Sequence, residues 1–189
     1  MKKICVFTGA ATGHAPAFKN DGYQLGQIIA ARGFGLVYGG GRKGLMGAVA
    51  DGVIASHGYV TGIIPKFLEN VEIGHPGVND LRVIDTMHER KAMMYDLSDA
   101  FIIMPGGLGT LDETMEIITW RQLGLHRKPI IIANLNGYWD PMLTMFKNII
   151  DQGFMHHGHV GHYETASSLD EVADMLDKLS GMGKALAGE

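Results

Sequence analysis

The stretch Ala100-Phe101-Ile102-Ile103-Met104-Pro105-Gly106-Gly107-Leu108-Gly109-Thr110-Leu111-Asp112-Glu113 decides how this sequence reads. Five apolar residues in a row, without polar alternation, suit a strand of a parallel sheet covered on both faces. Glycines follow at once, and from residue 111 the spacing predicts a helix over 111–123. Glycines at a strand-to-helix turn let backbone N–H groups approach an anion closely, and the helix N-terminus adds positive potential there.

The same pattern recurs upstream. Tyr38-Gly39-Gly40-Gly41-Arg42-Lys43-Gly44-Leu45-Met46-Gly47 joins an apolar run at 35–38 to a helical stretch at 45–56. Gly9-Ala10-Ala11-Thr12-Gly13 follows a run at 4–8. Further strands are predicted at 59–64, 81–85 and 130–133, and further helices at 17–32, 87–97, 141–152 and 170–179. Gly33 and Gly58 act as helix stops. Alternating strands and helices predict one Rossmann-like α/β domain over residues 1–189, a doubly wound parallel sheet with helices on both faces. All the glycine turns then lie at the carboxyl edge of the sheet, where ligands bind. Three such turns favour a phosphorylated ligand, with Gly40 and Gly41 among the backbone contacts. Neither long turn reads GxGxxG with a following acidic residue, and neither ends in the Lys-Ser/Thr of a P-loop, so dinucleotide and ATPase readings lose ground. The longest irregular stretch, 65–80, carries Pro65, Gly74, Pro76 and Gly77. A loop of that length is expected to be a lid or a contact with a second subunit.

Composition bounds the function. The chain has 189 residues, 46% of them hydrophobic and 19% charged, as in a globular protein. Its net charge of −4 argues against nucleic-acid binding by bulk electrostatics. No apolar run reaches the ~20 residues of a membrane span. The start MKKICVFTG resembles a secretory signal only superficially, because Gly9 and Gly13 interrupt it. The lone cysteine, Cys5, lies in an apolar run and reads as a buried strand thiol in a reducing compartment, so the expected location is the cytoplasm.

A second charged motif is Thr86-Met87-His88-Glu89-Arg90-Lys91. Thr86 and Glu89 have capping-box spacing, so a helix is expected to start here, with Arg90 and Lys91 one turn inside it. Two cations at the carboxyl edge can neutralise a phosphate; equally, they can be a solvated surface pair. Thr110 and Glu113 have the same spacing, and Glu113 reads both as a structural cap and as a carboxylate beside the ligand. A helix N-terminus lowers a carboxylate pKa, so Glu113 is expected to be ionised at neutral pH. Glu116 and Trp120 follow on the same helix face, as pocket lining or as packing. His156, His157, His159 and His162 crowd one segment without a cysteine or carboxylate at ligand spacing, so no metal is expected there.

The motifs PGGLGTLDE, GGGRKGLMG and MHERK together resemble the LOG ("Lonely guy") family of cytokinin riboside 5′-monophosphate phosphoribohydrolases, long labelled in error as lysine decarboxylases. Thr119-Trp120-Arg121-Gln122-Leu123-Gly124 and Gly137-Tyr138-Trp139 extend the likeness over nearly the whole chain. The resemblance implies Arg90 and Glu113 as catalytic residues. It implies substrate contacts at Lys91, Gly106, Gly107, Leu108, Gly109, Thr110, Leu111, Asp112 and Thr119. Ala10 and Ala11 stand where the family usually carries serines, with Thr12 in the third place, which weakens one phosphate contact. The implied reaction is hydrolysis of the N-glycosidic bond of an adenosine-type nucleoside 5′-monophosphate, with no cofactor or metal. The TWxQLG segment resembles the dimeric subgroup, and apolar residues in 65–80 and around Trp120 also lead to an expected homodimer. The rival expectation is a non-catalytic nucleotide or cofactor carrier of the same fold; molybdenum-cofactor carriers resemble this architecture.

Overall fold

Along β1 (Lys3–Phe7) successive side chains enter opposite layers: Ile4 and Val6 join one hydrophobic cluster, Cys5 and Phe7 the other. Because both layers are apolar, the strand reads as a continuous apolar run. A computed structural model of the protein describes residues 1–155 and 161–185. In it the same double burial covers every residue of β2 (Gly35–Tyr38), β3 (Val60–Pro65), β5 (Ala100–Ile103) and β6 (Ile130–Ala133). β4 (Asp80–Ile84) and β7 (Glu164–Ala166) form the two edges. The strands are parallel throughout, in the order β4-β3-β2-β1-β5-β6-β7.

The helices divide between the faces. α1 (Pro16–Ala31), α2 (Gly44–Ala55) and α7 (Leu169–Ala185) cover one face through Leu25, Ile29, Val49, Val53, Val172 and Leu176. After the single turn α3 (Lys66–Leu68), the helices α4 (Met87–Asp96), α5 (Leu108–Gln122) and α6 (Asp140–Asp151) cover the other. They do so through Met94, Ile117, Ile118, Met142 and Phe146. This is the doubly wound arrangement expected. Among the described residues no helix is long and apolar enough to cross a membrane.

Four boundaries depart from the sequence reading, the first being α7, which runs to Ala185 and not to 179. β7 has no apolar run, because only Ala166 of its three residues is buried. The stretch 65–80 is only partly irregular: α3 leads into a π-helical turn, Glu69–Ile73, and a loop over 74–79 then reaches β4. Helix α5 begins at Leu108, with Gly107 as its N-cap, one turn earlier than the spacing predicts.

From β1 the chain winds outward through β2 and β3 to β4, then crosses back to β5 and winds the other way. The connections leaving β1 and β5 therefore diverge, which opens a crevice beyond their carboxyl ends.

Candidate active site

A cavity of about 460 Å³ occupies that crevice, within the range of small-molecule sites. Its walls are Thr8, Gly9 and the loop to Gly13 after β1, Gly39 after β2, and Pro105, Gly106 and Gly107 after β5. Arg90 and Met87 of α4, Glu113 and Asp112 of α5, Leu68, Glu72, Phe18 and Tyr138 complete it. The β1 and β5 ends are tied together: Thr8 Oγ1 donates to Pro105 O at 2.9 Å, and Gly9 N donates to the same oxygen at 3.1 Å. Tyr138 Oη donates to Gly106 O at 2.7 Å and holds the glycine turn from the far side.

Arg90 is carried by a helix whose start the sequence specifies. Thr86 Oγ1 accepts from Glu89 N at 3.1 Å while the Glu89 carboxylate accepts from Thr86 N at 2.9 Å, a closed capping box. One turn in, Arg90 is buried at 5% exposure. Its Nη2 donates to Gly39 O at 2.8 Å and to Glu72 Oε2 at 3.4 Å, and Nη1 lies 3.9 Å from Met87 Sδ. Its Nε–H is buried without a partner among the described residues. Gly39 is glycine for a steric reason: a Cβ there would overlap Nη2 of Arg90.

Glu113 is not a cap. With Gly107 as N-cap, Thr110 lies inside α5, and its carbonyl accepts from Thr114 Oγ1 at 2.6 Å. The Glu113 carboxylate, half-buried on the cavity wall, accepts no hydrogen bond from the described residues. The expectation of a lowered pKa is also overturned. Burial pushes the carboxyl up to about 7; Arg90 pulls it down, while Asp112 and Glu72 push it further up. Desolvation outweighs the helix terminus because the carboxylate sits a full turn past the free N–H groups.

The three glycine turns are not equivalent. Two N–H groups in the first turn of α2 are already taken: Leu45 N donates to Gly9 O at 3.0 Å and Met46 N to the same oxygen at 3.3 Å. Gly41 forms an isolated bridge with Gly74, and a Cβ on Gly40 would press on Ile63 and Ile64. Neither Gly40 nor Gly41 lines the cavity; of the second turn only Gly39 does. Among the described residues, no acceptor meets the N–H groups of Gly106 to Thr110 at the start of α5, those of residues 10–13, or that of Gly39 on the cavity wall. Gly106 lets them come close, since a Cβ there would overlap Thr110 Oγ1.

Of the other expected contacts, Gly106, Gly107, Gly109, Thr110 and Asp112 line the cavity, whereas Leu108, Leu111, Lys91 and Thr119 do not. The Leu108 side chain is 84% exposed, and Thr119 is exposed on the far part of α5. Lys91 turns away to Asp112 Oδ2 at 3.1 Å and Glu116 Oε1 at 3.2 Å. Burial works against its charge, but the hydrogen bonds to those two carboxylates leave its pKa raised. Trp120 packs edge-on against Tyr95, so neither it nor Glu116 is pocket lining. The residues missed are Glu72, Thr8, Phe18 and Leu68. Glu72 lies in the stretch flagged as a lid, but nothing in its local sequence marks it. His156, His157 and His159 fall outside the described residues, among which there is no cluster of three metal-ligating side chains.

A family model described as "Possible lysine decarboxylase" matches residues 46–179. No lysine lines the cavity, so a Schiff-base decarboxylase has no candidate there. The cytokinin riboside 5′-monophosphate phosphoribohydrolase LOG7 of Arabidopsis thaliana is 44% identical over 155 residues, 82% of this chain and 71% of that one. Its relative LOG1, also from Arabidopsis thaliana and of the same description, is 42% identical over 155 residues, covering 82% and 73%. The molybdenum cofactor binding protein of Rippkaea orientalis matches with a TM-score of 0.72 over 95% of this chain and 98% of that one, at 24% identity, which is a likeness of fold alone. With these matches spanning most of its length, the chain belongs to the LOG family.

Proposed function

We propose that the protein hydrolyses the N-glycosidic bond of adenosine-type nucleoside 5′-monophosphates, N6-substituted or plain, releasing the free base and ribose 5-phosphate. One observation carries the reading: Glu113, a carboxylate with no hydrogen-bond partner among the described residues, shares a cavity with the buried Arg90 and the open N-terminus of α5.

The chemistry follows from charge. Breaking the bond between C1′ and the base builds positive charge on the ribose, as in glycoside hydrolysis. The N–H groups of Leu108, Gly109 and Thr110 bind the 5′-phosphate and so place C1′ near Glu113. The bonding pair leaves with the base, which takes up a proton from solvent as it departs. Ionised Glu113 offsets the ribose charge and takes a proton from the attacking water, a task suited to a carboxylate with a pKa near the working pH. Arg90, with Nε–H unpartnered and Nη2 held on Gly39 O, binds the nucleotide and stabilises the departing base. The apolar wall of Val6, Leu45, Met46, Met87 and Met94 offers a flat base something to pack on.

The enzyme acts as one domain over residues 1–189, in the cytoplasm, where the buried Cys5 thiol stays reduced. It works as a homodimer: Phe67, Val71 and Ile73 beside the cavity, Leu108 at its mouth and Leu123 and Leu125 beyond α5 are all exposed apolar side chains. The test is release of free base from AMP and from an N6-substituted AMP, against the matching nucleosides. The monophosphates should be turned over at least about a hundred-fold better in kcat/KM, as expected for a held phosphate. Equal values for adenosine and AMP would remove the phosphate-anchoring argument, and no base release from any monophosphate would leave the carrier reading standing.

A further inference from the structure

Arg90 faces a second carboxylate that the proposed chemistry does not use. We propose that Glu72 is a positioning residue of this site: it holds the Arg90 guanidinium on Gly39 O and divides the attraction of that cation between itself and Glu113. The proposal rests on the reading of Arg90 and Glu113 as the catalytic pair.

The side chains of Arg90 and Glu72 are only 6% and 15% exposed, and Glu72 is the one ion-pair partner of Arg90 among the described residues. A guanidinium this deeply buried needs a countercharge. Lys91, the next residue, is engaged by Asp112 and Glu116 instead. The backbone around Glu72 is built to aim it. Arg42 N donates to Glu72 O at 3.3 Å and to Ile73 O at 2.9 Å, and Lys43 Nζ donates to Val71 O at 3.0 Å. Ile73, a β-branched residue, is held at φ +56°, a conformation that persists only where its surroundings enforce it. The second glycine turn makes the room: a Cβ on Gly39 would overlap Arg90, and one on Gly41 would sit 3.2 Å from Glu72 Cβ. That turn thus makes the space in which Arg90 and Glu72 meet.

The groups acting on the Glu113 charge are Arg90 and Lys91 of α4, Asp112 of its own helix, and Glu72 of the π-helical turn; Cys5 lies within electrostatic reach of it. Removing the charge of Glu72 favours ionised Glu113 twice, by ending a repulsion and by freeing Arg90 to attract it. Glu72→Gln keeps the side-chain size. It should lower kcat on AMP about ten-fold, as expected for a misplaced catalytic cation. It should also move the acid limb of the pH–rate profile down by roughly half a pH unit or more. Glu72→Asp restores the charge but is too short to reach Nη2, so the limb should return toward wild type while kcat stays low. A Glu72→Gln enzyme with wild-type kcat and an unmoved limb overturns the proposal. Carbon-13 NMR titration of the Glu113 carboxyl in the same variants reads the coupling without turnover. An unmoved Glu113 titration in Glu72→Gln therefore sinks the role of Glu72, whereas a wild-type protein that releases no base sinks the hydrolase reading on which it rests.

Discussion

Replacing Glu113 by glutamine separates its charge from its shape. In the native state burial raises the carboxyl from 4.5 to about 7. Folding therefore disfavours the ionised form by on the order of 3 kcal/mol. The sign follows from linkage: with the folded pKa above the unfolded one, the contribution to stability is fully present below pH 4.5 and lost as pH rises through 7. Glutamine has no charge to lose. The stability of Glu113→Gln relative to wild type should therefore grow by about 2.5 kcal/mol between pH 5 and pH 8.5, or on the order of 5–10 °C in Tm for a chain of this size. Activity should move the opposite way, with kcat lower by at least roughly two orders of magnitude, because an amide neither offsets a ribose cation nor accepts the proton of water. Thermal melts at the two pH values and steady-state release of adenine from AMP read both effects on one sample. A relative Tm that does not change with pH would refute the burial argument, and near-normal turnover would refute the chemistry.

Two further outcomes are expected. Gly39→Ala should cost about 1–3 kcal/mol in chemical denaturation and at least roughly ten-fold in kcat/KM, since the new Cβ displaces the Arg90 guanidinium; unchanged kinetics would dissociate Arg90 from the reaction. Light scattering at micromolar concentration should give twice the 20.5 kDa chain mass, and a particle of one chain mass would refute the homodimer.

The fold was legible because both layers of the sheet are apolar. Ile4 and Val6 serve one layer and Cys5 and Phe7 the other, so buried strands print as unbroken apolar runs that glycine turns then punctuate. β7 left no such print, since Glu164 and Thr165 are exposed at a sheet edge. The position of Arg90 was legible too, because a capping box is a local device: Thr86 and Glu89 start the helix through contacts three residues apart. The same spacing at Thr110 and Glu113 misled, because the backbone N–H groups of α5 start at Leu108, where the Gly106–Gly107 turn delivers the chain.

What the sequence by itself determined is therefore whatever depends on neighbours a few residues away: strand and helix order, the α4 cap, the open amides at the start of α5. Tertiary structure decided everything that depends on charge and space between distant segments. It brought Glu72 to Arg90 across 18 residues and Gly39 to Arg90 across 51, turned the Leu45 and Met46 amides onto Gly9 O, and desolvated Glu113 enough to raise its pKa to about 7. The physical reason is that desolvation and ion pairing are set by what surrounds a group in space, and no local pattern of residue types records that.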